Sequence, residues 1–295
     1  MISFDPAVSE TRCLMDPRDA LPMPVTGHLS KMSSELARPV NYALKTDGCE
    51  TPLNARIGES IELVFSGRIH CTHCGRATKK SFNQGFCFPC SQRLAQCDMC
   101  ILKPERCHYD AGTCREPEWG EQNCLRPHVV YLANSSGLKV GITRGSQVPT
   151  RWIDQGASQA LPIFEVDTRL QSGLIEVILA AHVADKTNWR TMLKGPPEPI
   201  SLVERRDRLL QSCADRLQAL GARVGTEAIR PLPDAPTVGI DYPVSQYPTK
   251  VTPLNLDKTP RVQGTLLGIK GQYLILNTGV LNVRKYTGYE VTLVD

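Results

Sequence analysis

The chain has 295 residues, 41% of them hydrophobic and 22% charged, a balance that supports a real core and, by length, two or three packed units. No stretch approaches the roughly 20 apolar residues of a membrane span, and the opening MISFDPAVSETR lacks the basic-then-apolar layout of a secretory signal, so a cytoplasmic location is expected. The formal charge of +4 counts every cysteine as neutral; a zinc ion on four thiolates contributes about −2, so bulk charge does not decide for or against a polyanion partner.

Residues 1–66 open with a polar, Pro-containing stretch. The alternating segments Val40-Tyr42-Leu44 and Ile61-Leu63-Phe65 then predict half-buried strands. Residues 67–127 are Cys-rich and poor in branched aliphatics, so this module needs staples to hold a shape. From His128 the texture changes to HVVYLANSSGLKVGIT, two apolar runs around Asn134-Ser135-Ser136-Gly137, which predicts a β-hairpin. A helix is expected from about Ser172, with Leu174, Ile175, Ile178, Leu179, His182 and Val183 on one face. A second is expected to open on the capping box Ser201-Leu202-Val203-Glu204 and to run through Leu209, Cys213 and Leu217 to a stop at Gly221. With its helical extension this α/β module spans 128–230. Residues 231–295 comprise a Pro-rich connector followed by four β segments around Gly271, Gly279 and Gly288, read as a small barrel or meander. The fold class expected is α+β.

Twelve cysteines in such a chain point to metal rather than to disulfides, because a reducing compartment disfavours the latter. Cys71-Thr-His-Cys74 and Cys87-Phe-Pro-Cys90 form two knuckles that can each aim two thiolates at one tetrahedral zinc. A second site draws on Cys97, Cys100, Cys107 and Cys114, with Cys124, His108 or His128 able to replace one of the last two; zinc fits better than an iron–sulfur cluster. A closed four-ligand site is structural, since catalytic zinc keeps an open position. Cys13, Cys49 and Cys213 stand alone and read as core residues. Between the knuckles Arg76, Lys79, Lys80 and Phe82 form a basic and aromatic patch suited to a nucleic-acid backbone. Lys270, Tyr273, Arg284 and Tyr286 offer a second such surface.

Val129-Val130-Tyr131, followed by Lys139-Val140-Gly141-Ile142-Thr143 and then by Arg151 and Glu176 on successive helices, resembles the GIY-YIG domain. The resemblance implies a nuclease-type fold over roughly 128–195, with Tyr131 at the first tyrosine, Gly141 at the second glycine, Arg151 on the scissile phosphate and Glu176 holding one divalent metal such as Mg²⁺. Val129 stands where the family has glycine, and Lys139 where it has its second tyrosine, a feature shared with a divergent phage-associated subgroup. The cysteine cluster together with KVGITR, RWIDQGA, GTLLGIKGQYLIL and GYEVTL also resembles an uncharacterised bacterial family, domain of unknown function 2797. The expected function is a zinc-binding protein that engages DNA or RNA, with a GIY-YIG-type endonuclease activity implied by the resemblance. The alternative is a non-catalytic, zinc-stabilised scaffold that binds a protein partner through a degenerate nuclease fold.

Overall fold

A computed structural model describes residues 24–183 and 187–294; Cys13 lies outside them. Near the amino terminus lie strands β1 (Val25–His28), β2 (Ser33–Glu35), β3 (Asn41–Thr46) and β4 (Cys49–Pro52). In β3 the two-residue period buries Tyr42 and Leu44, and β2, β3 and β4 pair antiparallel as a small sheet. Strand β5 (Ser60–Ile69) carries Ile61 and Leu63 inward and joins a different, larger sheet.

The Cys-rich segment contains two short helices, α1 (Phe88–Arg93) and α2 (Pro117–Asn123), each with proline in its first turn where the missing N–H costs nothing. Its buried cluster consists of Cys71, Cys87, Cys90 and Leu94 with Phe86 and Cys97 against it. So small an apolar set does not hold some sixty residues by itself, which is the physical case for a cross-link here. No disulfide joins the cysteines among the described residues.

The hairpin follows as β6 (His128–Asn134) and β7 (Leu138–Arg144), in a register that sets Tyr131 opposite Gly141 and Ala133 opposite Lys139. Then come α3 (Thr150–Asp154), β8 (Gln159–Val166) and α4 (Arg169–Leu179). Every residue of β6 is buried because it is a central strand, paired with β7 on one side and β8 on the other. Its alternation feeds two cores. Val129, Tyr131 and Ala133 face one cluster with Trp152 and Ile153, while Val130 and Leu132 face another with Ile175, Ile178 and Leu179 of α4.

Helix α4 begins three residues before the expected Ser172, at a capping box in which Thr168 and Gln171 satisfy each other's backbone donors. It ends at Leu179, so His182 lies past it and is exposed rather than on its apolar face. After α5 (Trp189–Met192), the single helix expected from Ser201 is two, α6 (Leu202–Ser212) and α7 (Ala214–Val224). The break falls at Cys213, whose ψ of 4° is not helical and whose thiol is buried against Ile178. The stop is Gly225 at φ 95°, a left-handed conformation that glycine adopts without strain; Gly221 stays within the helix.

Within the Pro-rich connector and just before it, two short strands, β9 (Ile229–Pro231) and β10 (Val238–Gly239), add to opposite ends of β8. Strands β11 (Arg261–Lys270), β12 (Tyr273–Leu276), β13 (Gly279–Asn282) and β14 (Tyr289–Val294) complete the chain. They pair with the amino-terminal strands in one antiparallel sheet ordered β1-β14-β5-β11-β12-β13. The architecture is α+β with a cysteine cluster, and among the described residues no helix is long and apolar enough to cross a membrane. Lys270 and Tyr286 are fully buried here, so they do not form the exposed surface expected of them.

Candidate functional site

The first cysteine set converges. The sulfur atoms of Cys71, Cys74, Cys87 and Cys90 all lie within 4.8 Å of one another, and Cys74 and Cys87 are 3.8 Å apart. A tetrahedron of Zn–S bonds of about 2.3 Å has S···S edges of about 3.8 Å, so the donor set fits a single ion of that size. The knuckle is built by the backbone: Gly75 N–H donates to Cys71 O at 2.9 Å and Cys71 N–H to Arg76 O at 2.9 Å. Burial opposes ionisation of Cys71, but N–H groups of Cys74, Cys87 and His73 directed at its sulfur outweigh it and bring its pKa down to about 6. Burial and the neighbouring sulfurs push Cys90 up to about 12. The four thiols therefore do not all ionise without a cation, and these residues could hold a metal ion. His73 is exposed and His70 takes a 2.7 Å hydrogen bond with His28. Arg76, Lys79 and Lys80 are exposed on this module, and the ammonium of Lys80 sits 5.3 Å from the Phe82 ring.

The remaining cysteines divide differently from the expected set. Cys100, Cys107, Cys114 and Cys124 line one small pocket beside Asp98 and His108. Cys97 does not line it; it packs against the first cluster. His128 does not line it either. Its Nδ1 lies 2.6 Å from Arg126 O and its Nε2 is buried without a hydrogen-bond partner among the described residues.

A third site lies at the open edge of the hairpin. Lys139, Arg144, Arg151, Arg169 and Arg284 line one pocket with a single carboxylate, Glu176. The hairpin supplies Lys139 and Arg144, α3 supplies Arg151, and α4 supplies Arg169 and Glu176 two turns apart. Arg284 arrives from the short turn between β13 and β14. Leu102 and Pro104 of the Cys-rich segment close the far side.

Tyr131 stands beneath this pocket. Its ring is fully buried against Trp152, with centroids 5.9 Å apart, and its hydroxyl donates to Gln155 Oε1 at 3.0 Å. Lys139 Nζ donates to the same oxygen. Gly141 is required by close approach: a Cβ there would sit 2.8 Å from the Tyr131 hydroxyl and ring. Burial pushes the Tyr131 pKa up to about 12; Arg151 opposes that shift and Glu176 adds to it. The hydroxyl is therefore protonated at neutral pH. Burial also lowers Arg169 and Arg284 from the usual guanidinium value, and a guanidinium remains the cationic form at neutral pH. Five cations around one carboxylate, partly withdrawn from solvent, attract an anion with a field that screening only partly removes.

The structure thus brings Tyr131, Lys139, Arg151 and Glu176 to one place, and the exposed Arg76, Lys79 and Lys80 to another. Arg144, Gln155 and Arg169 were not found by sequence reasoning, and Arg284 was read as part of a separate surface with Lys270, Tyr273 and Tyr286. Arg144 and Gln155 had a weak signal in the hairpin and RWIDQGA stretches; nothing local joins Arg169 and Arg284 to this pocket, because only long-range packing delivers them.

A family model described as "Protein of unknown function (DUF2797)" matches residues 58–291. The match takes in both cysteine groups and every residue of the basic pocket, and begins after β4. No curated protein and no solved structure matches the chain.

Proposed function

The chain belongs to the DUF2797 family, and from that premise we propose that it is a metal-stapled protein that grips the phosphodiester backbone of DNA or RNA in its hairpin pocket and hydrolyses it with the help of a divalent cation. The observation that carries this reading is the convergence of Lys139, Arg144, Arg151, Arg169 and Arg284 on one carboxylate, Glu176, above a buried tyrosine. Guanidinium groups neutralise phosphoryl charge and bind its oxygens two at a time. A lone carboxylate suits Mg²⁺, which takes one or two protein ligands and completes its shell with water and substrate oxygens. Glu176 would hold such a cation, which would supply Lewis-acid polarisation of a phosphate that the arginines bind.

The likeness to GIY-YIG nucleases supports the same reading. The antiparallel order β8-β6-β7 gives a three-stranded unit with Tyr131 on its central strand, and Arg151 and Glu176 on the helices that follow. Lys139, at the position of the second tyrosine, stays in the pocket and shares the Gln155 acceptor with Tyr131. The exposed Arg76, Lys79 and Lys80 offer a second, sequence-independent grip on the backbone.

Binding to labelled single-stranded RNA and duplex DNA is expected to weaken steeply and log-linearly with salt. Mg²⁺-dependent cleavage by the parent is expected to fall about 100-fold or more in Arg151→Ala and Glu176→Ala. Salt-independent or undetectable binding would favour the scaffold reading instead, and equal cleavage by all three proteins would remove these two residues from the site.

A further inference from the structure

We propose that Cys100, Cys107, Cys114 and Cys124 hold a second zinc ion, and that this ion fixes the wall of the basic pocket on which Arg169 rests. The metal site stands whatever the pocket binds; the coupling deepens the reading of that pocket given above.

The ligand set follows from position. All four cysteines line one small pocket. Cys114 Sγ lies against Gly120, where a side chain would meet it at 3.4 Å. Asp98 and His108 bring ligand atoms within 4.8 Å of the Cys100 sulfur and of each other. The Asp98 carboxylate takes Arg115 Nε at 2.6 Å and caps the following turn through Cys100 N–H at 3.2 Å, while His108 Nδ1 is 2.8 Å from Thr113 Oγ1 and its Nε2 lies 3.6 Å from Asp98 Oδ1. Four thiolates are the donors zinc prefers. Cys97 is spent on the other side, packed against the first cluster.

The coupling follows from two hydrogen bonds. Arg169 N–H donates to the backbone oxygen of Cys124 at 2.8 Å, and Arg169 Nη2 donates to the backbone oxygen of Ile101 at 2.7 Å. One partner is a ligand and the other adjoins one, so both ends of the same four-cysteine loop system hold this arginine. Its Nε is buried with no hydrogen-bond partner among the described residues, a donor left for a ligand. Between Cys100 and Cys107 the chain makes a 3₁₀ turn, Pro104–Arg106, pressed onto α4 so closely that a side chain at Gly173 would meet Pro104 at 2.6 Å. Without a metal this loop has little apolar burial to hold it.

Metal content of the full chain, measured by elemental analysis, tests the first half. The parent is expected to carry about two zinc ions, Cys124→Ser and Cys74→Ser about one each, and Cys97→Ser two. A single ion in the parent, iron with acid-labile sulfide, or loss of metal from Cys97→Ser but not from Cys124→Ser overturns it. Should Cys124→Ser fail to fold, Co²⁺ loading of the parent serves: thiolate absorption that saturates at two equivalents supports the site, and saturation at one overturns it. Hydrogen exchange tests the second half without any ligand. The Arg169 amide is expected to lose protection by about tenfold or more in Cys124→Ser and to keep it in Cys97→Ser; unchanged exchange overturns the coupling. A mixed-sequence single-stranded RNA separates the readings. If the parent does not bind it, the proposed function fails while the metal count and the exchange result still stand or fall alone.

Discussion

His128 shows how one side chain records its surroundings. It is 0% exposed, and burial pulls its pKa from 6.5 to about 4. Between those values the unfolded chain takes up a proton that the folded one refuses, so stability falls as pH drops from 6.5 to about 4 and levels off below. The slope contributed is about 1.4 kcal/mol per pH unit at most. Acid also releases zinc from thiolates, so the check is a comparison: the stability gap between parent and His128→Leu, from denaturant unfolding, is expected to shift in favour of the variant as pH falls through that window. A gap independent of pH would refute it. Tyr131 offers a second residue-scale test. Tyr131→Phe removes one hydrogen bond while Lys139 still serves Gln155, so a loss of about 1 kcal/mol in unfolding free energy is expected. The candidate residues were legible as positions: Gly141, Arg151 and Glu176 line one pocket, and the Tyr131 hydroxyl reaches Gln155 of the same pocket. His128 was read only as a spare ligand, because nothing in a linear sequence shows that both its neighbours' strands enclose it.

At the scale of elements, the pattern of apolar residues was enough to place β3, β5, the hairpin and the terminal strands, since a two-residue period survives any tertiary context that buries one face. Boundaries fared worse where a local signal competed with a packing demand. The start of α4 was written in Thr168-x-x-Gln171, a capping box that went unnoticed, and Thr168→Ala is expected to cost about 1 kcal/mol in unfolding free energy. The break at Cys213 was invisible, because an apolar residue at helical spacing looks the same whether the helix continues or turns to bury a thiol. Gly173 sits at the contact between α4 and the Pro104–Arg106 turn. Alanine there gains roughly 1 kcal/mol of helix propensity, but the added carbon must displace backbone, an overpacking penalty of about 1 to 3 kcal/mol. A net destabilisation of Gly173→Ala in thermal or denaturant unfolding is therefore expected; a gain would mean that the turn yields freely.

At the scale of the whole molecule, the cysteine-rich segment is the part least able to stand alone, and metal removal is the direct probe. Strong chelation of the parent is expected to abolish protection from proteolysis within residues 67–127 before the sheets open, read by mapping the first cuts. Cuts spread evenly along the chain would say that the thiols are not what holds it. The cysteine doublets made this legible in advance. What the sequence could not reveal was that β5 lies between β11 and β14, since pairing partners so far apart leave no mark in local pattern.

That arrangement bears on how the protein is made. Arg68 and Glu290, joined across β5 and β14, are 222 positions apart, so the ribosome releases β5 long before either neighbour exists. Until β11 and β14 are made, its two edges have no native partner, and contacts so distant close slowly. The nascent chain spends that interval with a ten-residue edge open to strangers.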